Sequence, residues 1–172
     1  MKNTSGNLQN TGKKRQFCTF RLADRLFGLD ILNVKEISAV TEFTPIFHAP
    51  EEVRGYVNIR GRICLILDMR RLLGYESAES DHNSRLLLFK SGVGDNFGVL
   101  VDSVGDVISA EPEQIETRNT VQHFSKEEEQ RMSHLSSGVC KLNDALMIIL
   151  EPGKFLDLLR HIKNDPLKND PR

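Results

Sequence analysis

Every apolar run in this chain is short. Between residues 16 and 150 the runs are stopped repeatedly by Gly, Asp, Asn or Pro, and none has the length and spacing of a helix that could cover a sheet. A parallel α/β sheet needs such crossover helices on its faces, so the pattern points instead to antiparallel β-structure. "QFCTFRL" alternates two kinds of residue and turns at "ADR" into "LFGLDI", which reads as a hairpin, with "VKEISAV" as the next strand. "TPIFHAPEEV" holds two prolines and an acidic pair and reads as a loop with a short helical turn at 50–53. "RGYVNI" and "RICLILDM" flank Arg60-Gly61, which predicts a second hairpin with the glycine at its turn. "RRLLG" allows one or two helical turns, ended by Gly74.

A polar stretch, "YESAESDHNS", then separates two apolar units. The second unit contains "RLLLFK", a "SGVGDN" turn, "FGVLVDSVGDVISA" and "SGVCKLNDALMIIL", the last turning at Asn143-Asp144. It ends in "EPGKFLDLLRHI", a helix with Phe155, Leu158, Leu159 and Ile162 on one face. Phe27-Gly28 in one half and Phe97-Gly98 in the other hold matching places, each followed by a strand with an acidic residue and an isoleucine. Two small, closed antiparallel barrels sharing a packed seam satisfy this pattern, because closure removes exposed edges. The predicted divisions are a disordered tail at 1–15, a first subdomain at 16–75, a linker at 76–83, a second subdomain with the C-terminal helix at 84–160, and a second tail at 161–172. The segment 119–136 is polar and charged, with a helix predicted at 126–132.

Composition narrows the function. Lys and Arg number 23 against 24 Asp and Glu, so the basic excess of a nucleic-acid binder is missing. Cys18, Cys64 and Cys140 lie far apart in apolar settings and read as buried thiols of a reducing compartment. The opening residues lack the apolar region of a signal peptide, and no later run approaches the ~20 apolar residues of a membrane span, so a cytoplasmic location is expected. The five histidines, among them His123 and His134, form no metal-binding spacing, so no metal or other cofactor is expected. Ser103 and Ser137 lack the GxSxG context, and Cys64 lies mid-strand. Asp68 and Asp102 read as strand-end residues, and "SGVGDNFG" lacks the lysine and helix of a phosphate loop. What stands out is basic: Arg54, Arg60, Arg62, Arg70 and Arg71 crowd the block "RGYVNIRGRICLILDMRRLLG", with Glu51 and Glu52 just before it. Mixed charge of this kind suits a protein-docking surface better than a phosphate track.

Four blocks in register, "FGLDILNVKEI", "TPIFHAPEEVRGYVNIRGRICLILDMRRLLG", "FGVLVDSVGDVI" and "GVCKLNDALMIILE", closely resemble the CheW family of chemotaxis coupling proteins over about 16–160. The resemblance implies an all-β fold of two five-stranded SH3-like barrels packed on a shared hydrophobic seam, with short helices. It also implies a non-enzymatic adaptor that couples chemoreceptor tips to the regulatory domain of a CheA-type histidine kinase, in arrays at the inner face of the membrane. Carried over by position, Val34, Glu36, Ile37, Arg60 and Gly61 fall on the receptor-binding side. The kinase-binding side is expected around Thr44, Pro45 and Ile46 and around Leu72, Leu73 and Gly74. Where the family commonly carries a strand proline this chain reads "ICLIL", and a paralogue that fills an array without activating a kinase would share the same blocks.

Overall fold

The computed structural model describes residues 12–117 and 126–163. Its strands are β1 (Arg15–Leu22), β2 (Arg25–Asp30), β3 (Val34–Ala39), β4 (Val53–Ile59), β5 (Arg62–Asp68), β6 (Arg85–Phe89), β7 (Phe97–Val101), β8 (Ser103–Ala110), β9 (Ile115–Thr117), β10 (Ser136–Lys141) and β11 (Leu146–Leu150). Three helices accompany them: α1 (Met69–Leu72), α2 (Lys126–Leu135) and α3 (Gly153–Lys163). Residues 1–11, 118–125 and 164–172 lie outside the described residues, and with them most of both predicted tails and His123. Inside the predicted tails, Arg15 opens β1 and residues 161–163 complete α3.

The strands form two sheets, one ordered β8-β1-β2-β11-β10-β9 and the other β3-β6-β7-β5-β4. The expectation of two closed five-stranded barrels is therefore corrected. One sheet has six strands, and neither closes into a barrel or curls strongly; both are open, with a first and a last strand that no ladder joins. The reason lies in the connections. After β3 the chain runs through Pro45 and Pro50, which have no N–H to donate to a ladder. Its one β-bridge to β4 is the isolated Thr44–Tyr56 pair. After β8, Pro112 lies in a 3-10 turn that delivers β9 to the edge of β10 instead of back to β8.

The two halves of the sequence are interlocked. With the three-residue β9 set aside, β1–β5 correspond in order to β6, β7, β8, β10 and β11. Each sheet takes the opening hairpin of one half and the three later strands of the other: β1-β2 join β8, β10 and β11, while β6-β7 join β3, β4 and β5. The exchange produces the parallel pairs, β2 with β11 and β7 with β5. Phe27-Gly28 and Phe97-Gly98 occupy equivalent central positions in these pairs, so the repeat seen in the sequence is real. Neither sheet, however, is built from one side of residues 76–83 alone.

The main core lies between the sheets. It joins Phe20, Leu22 and Phe27 to Leu67, Leu87, Phe97 and Val99, and Met132, Leu135 and Phe155 close it from α2 and α3. Each sheet carries a smaller cluster on its other face, Val57, Cys64, Ile66 and Leu86 on the five-stranded sheet and Phe17, Cys140 and Met147 on the six-stranded one. β7 is buried along its whole length, as a central strand covered on both faces must be.

Candidate docking surfaces

The block that resembled the family most is one continuous device, the β4-β5 hairpin followed by α1. Its turn is Arg60-Gly61, closed by the pair Ile59–Arg62. Both turn residues have positive φ, +51° at Arg60 and +80° at Gly61, the combination that matches the twist of a tight hairpin. Glycine takes this conformation freely, whereas arginine there costs about 1 kcal/mol. The side chain of Asn58 helps to hold the turn, its Oδ1 accepting the Gly61 N–H at 2.8 Å.

From this turn the Arg60 guanidinium reaches Glu36 on β3 at 3.0 Å, although β3 and β4 are the two outer strands of the sheet. Arg60 is 81% exposed, so the pair contributes little to stability and leaves most of the guanidinium's donors to solvent. Ile37, the next residue on the open edge strand, is 44% exposed. Val34 lies half-buried against the main core at the start of the same strand. Of the predicted receptor-side residues the structure thus joins Glu36 to Arg60, puts Gly61 beside them and Ile37 next in line, and places Val34 partly in the core. Ile63, exposed at the start of β5, was not singled out; its signal was an isoleucine directly after the turn and Arg62.

The base of the hairpin is different. Asp68 is buried and caps α1: Oδ1 accepts the N–H groups of Arg70 and Arg71 at 3.0 and 3.3 Å, and Oδ2 accepts the Ser77 hydroxyl at 2.9 Å. Beside it opens a pocket of about 450 Å³ lined by Phe43, Pro45, Val53, Glu51, Arg54, Arg71, Asp68 and Ser77. Thr44 and Pro45 are exposed and Ile46 is half-buried, on the loop that forms one wall. Phe47, which follows Ile46, is 91% exposed and is the barest apolar side chain described. It was not among the selected residues, although an aromatic between Pro45 and Pro50 was the available sign. Leu72 and Leu73 are wholly buried in the main core, where they support the fold, while Gly74 is exposed. The helical turn expected at 50–53 is a β-turn, Val53 donating to the Pro50 carbonyl at 2.9 Å.

The arginines do not form a phosphate cluster. Arg54 lies over the Phe43 ring at 5.3 Å, and Arg71 pairs with Glu51 at 3.4 Å. Arg70 is held two-pronged by Asp102 at 2.8 and 2.5 Å, and this bond raises its pKa further, so it is charged throughout. Asp102 also accepts the N–H of Ala23 at the β1-β2 turn, so this ion pair fastens one sheet to the other. Arg62 is exposed. Among the described residues no group of three or more His, Cys, Asp or Glu side chains is placed to hold a metal.

Comparison with known proteins agrees with this geometry. The chain is 35% identical over 118 residues to the chemotaxis protein CheW of Rhizobium meliloti (strain 1021), a match covering 67% of this chain and 73% of that one. It is 24% identical over 145 residues to the chemotaxis protein CheW of Thermotoga maritima, covering 84% and 89%. The crystal structure of the scaffolding protein TtCheW from Thermoanaerobacter tengcongensis superposes with a TM-score of 0.70 at 27% identity, over 81% of this chain and 90% of that one. The family model for the CheW-like domain matches residues 16–160, and with that extent of match the chain belongs to the CheW-like domain family.

Proposed function

We propose that this CheW-like chain is a non-enzymatic adaptor in chemotaxis signalling, with a receptor-binding face and a kinase-binding face at opposite ends of one hairpin. The family assignment carries the adaptor role; the layout of the β4-β5 hairpin supports the division of labour. At the tip, Arg60 and Gly61 stand beside Glu36 and Ile37 and form the receptor face, with Val34 behind them as support. Towards the base, Pro45 lines the pocket, and with its loop neighbours Thr44, Ile46 and Phe47 it forms the kinase face, with Gly74 at the margin. Leu72 and Leu73 hold that face from beneath. Strand β4 runs from Val53 to Ile59, which at about 3.3 Å per residue sets the two faces roughly 20 Å apart. Two large partners can therefore occupy one small protein without competing.

The partners under this reading are a methyl-accepting receptor's cytoplasmic tip and the regulatory domain of a CheA-like histidine kinase. The adaptor works in the cytoplasm and is recruited to receptor arrays. An exposed arginine fork suits a carboxylate or carbonyl on a helical receptor tip, whereas an apolar loop beside a pocket suits an anchor side chain from a folded domain.

Separate titrations with the two partner domains test the division. Arg60→Ala is expected to weaken receptor-tip binding by about tenfold or more and to leave kinase-domain binding unchanged. Phe47→Ser is expected to do the reverse. If either substitution weakens both partners equally while the unfolding midpoint holds, the two-face arrangement is wrong.

A further inference from the structure

Helix α2 lies in the polar, charged segment 119–136, yet it carries a deeply buried ion pair. The side chain of Arg131 is 11% exposed and that of Glu52 5%, with Nη1 of Arg131 at 2.9 Å from the Glu52 carboxylate. The same nitrogen donates to the carbonyl of Arg71 at 2.7 Å, and Nη2 donates to Glu127 at 3.2 Å. Glu52 sits between Glu51 and Val53, which line the pocket, and Arg71 lines it too. One guanidinium therefore bonds both segments that line the pocket, the one at 51–53 and α1. The helix is itself anchored, with Met132 and Leu135 in the main core and the Leu135 carbonyl accepting the Glu151 N–H at 2.8 Å. Gly74 lies beside it at a φ of +85°, a backbone that glycine adopts freely, and a Cβ there would only touch the Glu128 and Arg131 side chains.

A buried ion pair seldom stabilises a fold more than well-packed apolar residues would. What the arginine adds is geometry, because its planar fork can hold a carboxylate and a carbonyl at fixed positions together. We infer that Arg131 is a positioning residue and that α2 is a bracket which fixes the 50–54 segment against α1, keeping the pocket in the shape that receives the kinase domain. The bracket is read from the structure alone; its use rests on the kinase assignment of the pocket face.

The test uses the full chain carrying Arg131→Met, Arg131→Met with Glu52→Gln, and Arg131→Lys. Removing the arginine alone leaves a buried carboxylate without its partner, so that variant reports general destabilisation. The double variant removes both charges and is expected to recover the unfolding midpoint but not the bracket. Its amide exchange is expected to rise about tenfold at Asp68, whose N–H bonds the Glu52 carbonyl, and at Gly74, whose N–H bonds the Arg71 carbonyl, with no change at Leu87 in β6. Kinase-domain affinity is expected to fall about tenfold and receptor-tip affinity to hold. Arg131→Lys keeps the charge but not the fork, and is expected to fold and still exchange faster at Gly74. Wild-type exchange and wild-type kinase affinity in the double variant would overturn the inference. Faster exchange with unchanged kinase affinity, or a wild type that binds no kinase domain, would overturn its functional half and leave the bracket standing.

Discussion

Arg60 and Arg131 carry the same guanidinium into opposite surroundings. Arg60 stands on an exposed turn, where its bond to Glu36 contributes about 0.2–1 kcal/mol and its remaining donors face solvent. Arg131 is enclosed, and truncating it alone leaves the Glu52 carboxylate buried without its partner. Under the proposed reading the first meets a partner and the second holds a shape. The thiols show the effect of burial in another way. Loss of solvent pushes Cys18, Cys64 and Cys140 above the ordinary thiol value; at Cys64 the nearby Lys35 and Arg62 oppose this only in part. The folded chain therefore keeps protons that the unfolded chain releases. The associated stability is fully present below the unfolded value, about pH 8.5, and is lost as pH rises through the folded value. The urea midpoint is expected to fall between about pH 8 and about pH 10, and to fall less in Cys18→Ala. An equal fall in that variant would remove the thiol from the explanation.

Local chemistry made several elements legible. The Arg60-Gly61 hairpin, the short helix ended by Gly74 and the amphipathic α3 all follow from turn residues and spacing, and each is present. The helix predicted at 126–132 runs on to Leu135, because Met132 and Leu135 find places in the main core that a charged sequence does not advertise. Two features depended on distance. Whether a sheet closes turns on where proline-containing connections deliver their strands, and here Pro45, Pro50 and Pro112 leave both sheets open. The exchange of opening hairpins was equally invisible, because β1-β2 is apolar enough to serve either sheet and only packing decides which. Among the site residues, Glu36 and Arg60 could be named from the resemblance but not joined, and the burial of Leu72 and Leu73 depended on a core drawn from both halves. The exchange has a consequence for cutting the chain. Fragments 1–80 and 81–172 each lack the hairpin or the later strands that complete their sheets. Each alone is expected to show no cooperative unfolding transition by circular dichroism, and the mixture to recover one. Cooperative unfolding of either fragment alone would contradict the interlock.

Taken whole, the protein is a pair of interlocked sheets with a near-neutral charge of −1, and none of its described helices is long and apolar enough to cross a membrane. Under the proposed reading its two docking faces lie at the two ends of one hairpin and are joined through β4 and β5. The Arg70–Asp102 pair ties the β5-α1 junction to the β1-β2 turn, and Arg131 ties it to α2, so the base of the hairpin is fastened on two sides. Under the proposed reading this fastening holds the two faces in a fixed relation. The direct test is reconstitution of the full chain with a receptor signalling tip and a CheA-like kinase, reading co-sedimentation and kinase autophosphorylation for wild type and Arg60→Ala. The expected result is a three-component assembly with raised kinase activity in the wild type, and loss of both in Arg60→Ala with its fold intact. Assembly without any rise in kinase activity would contradict the coupling role and leave a protein that fills arrays.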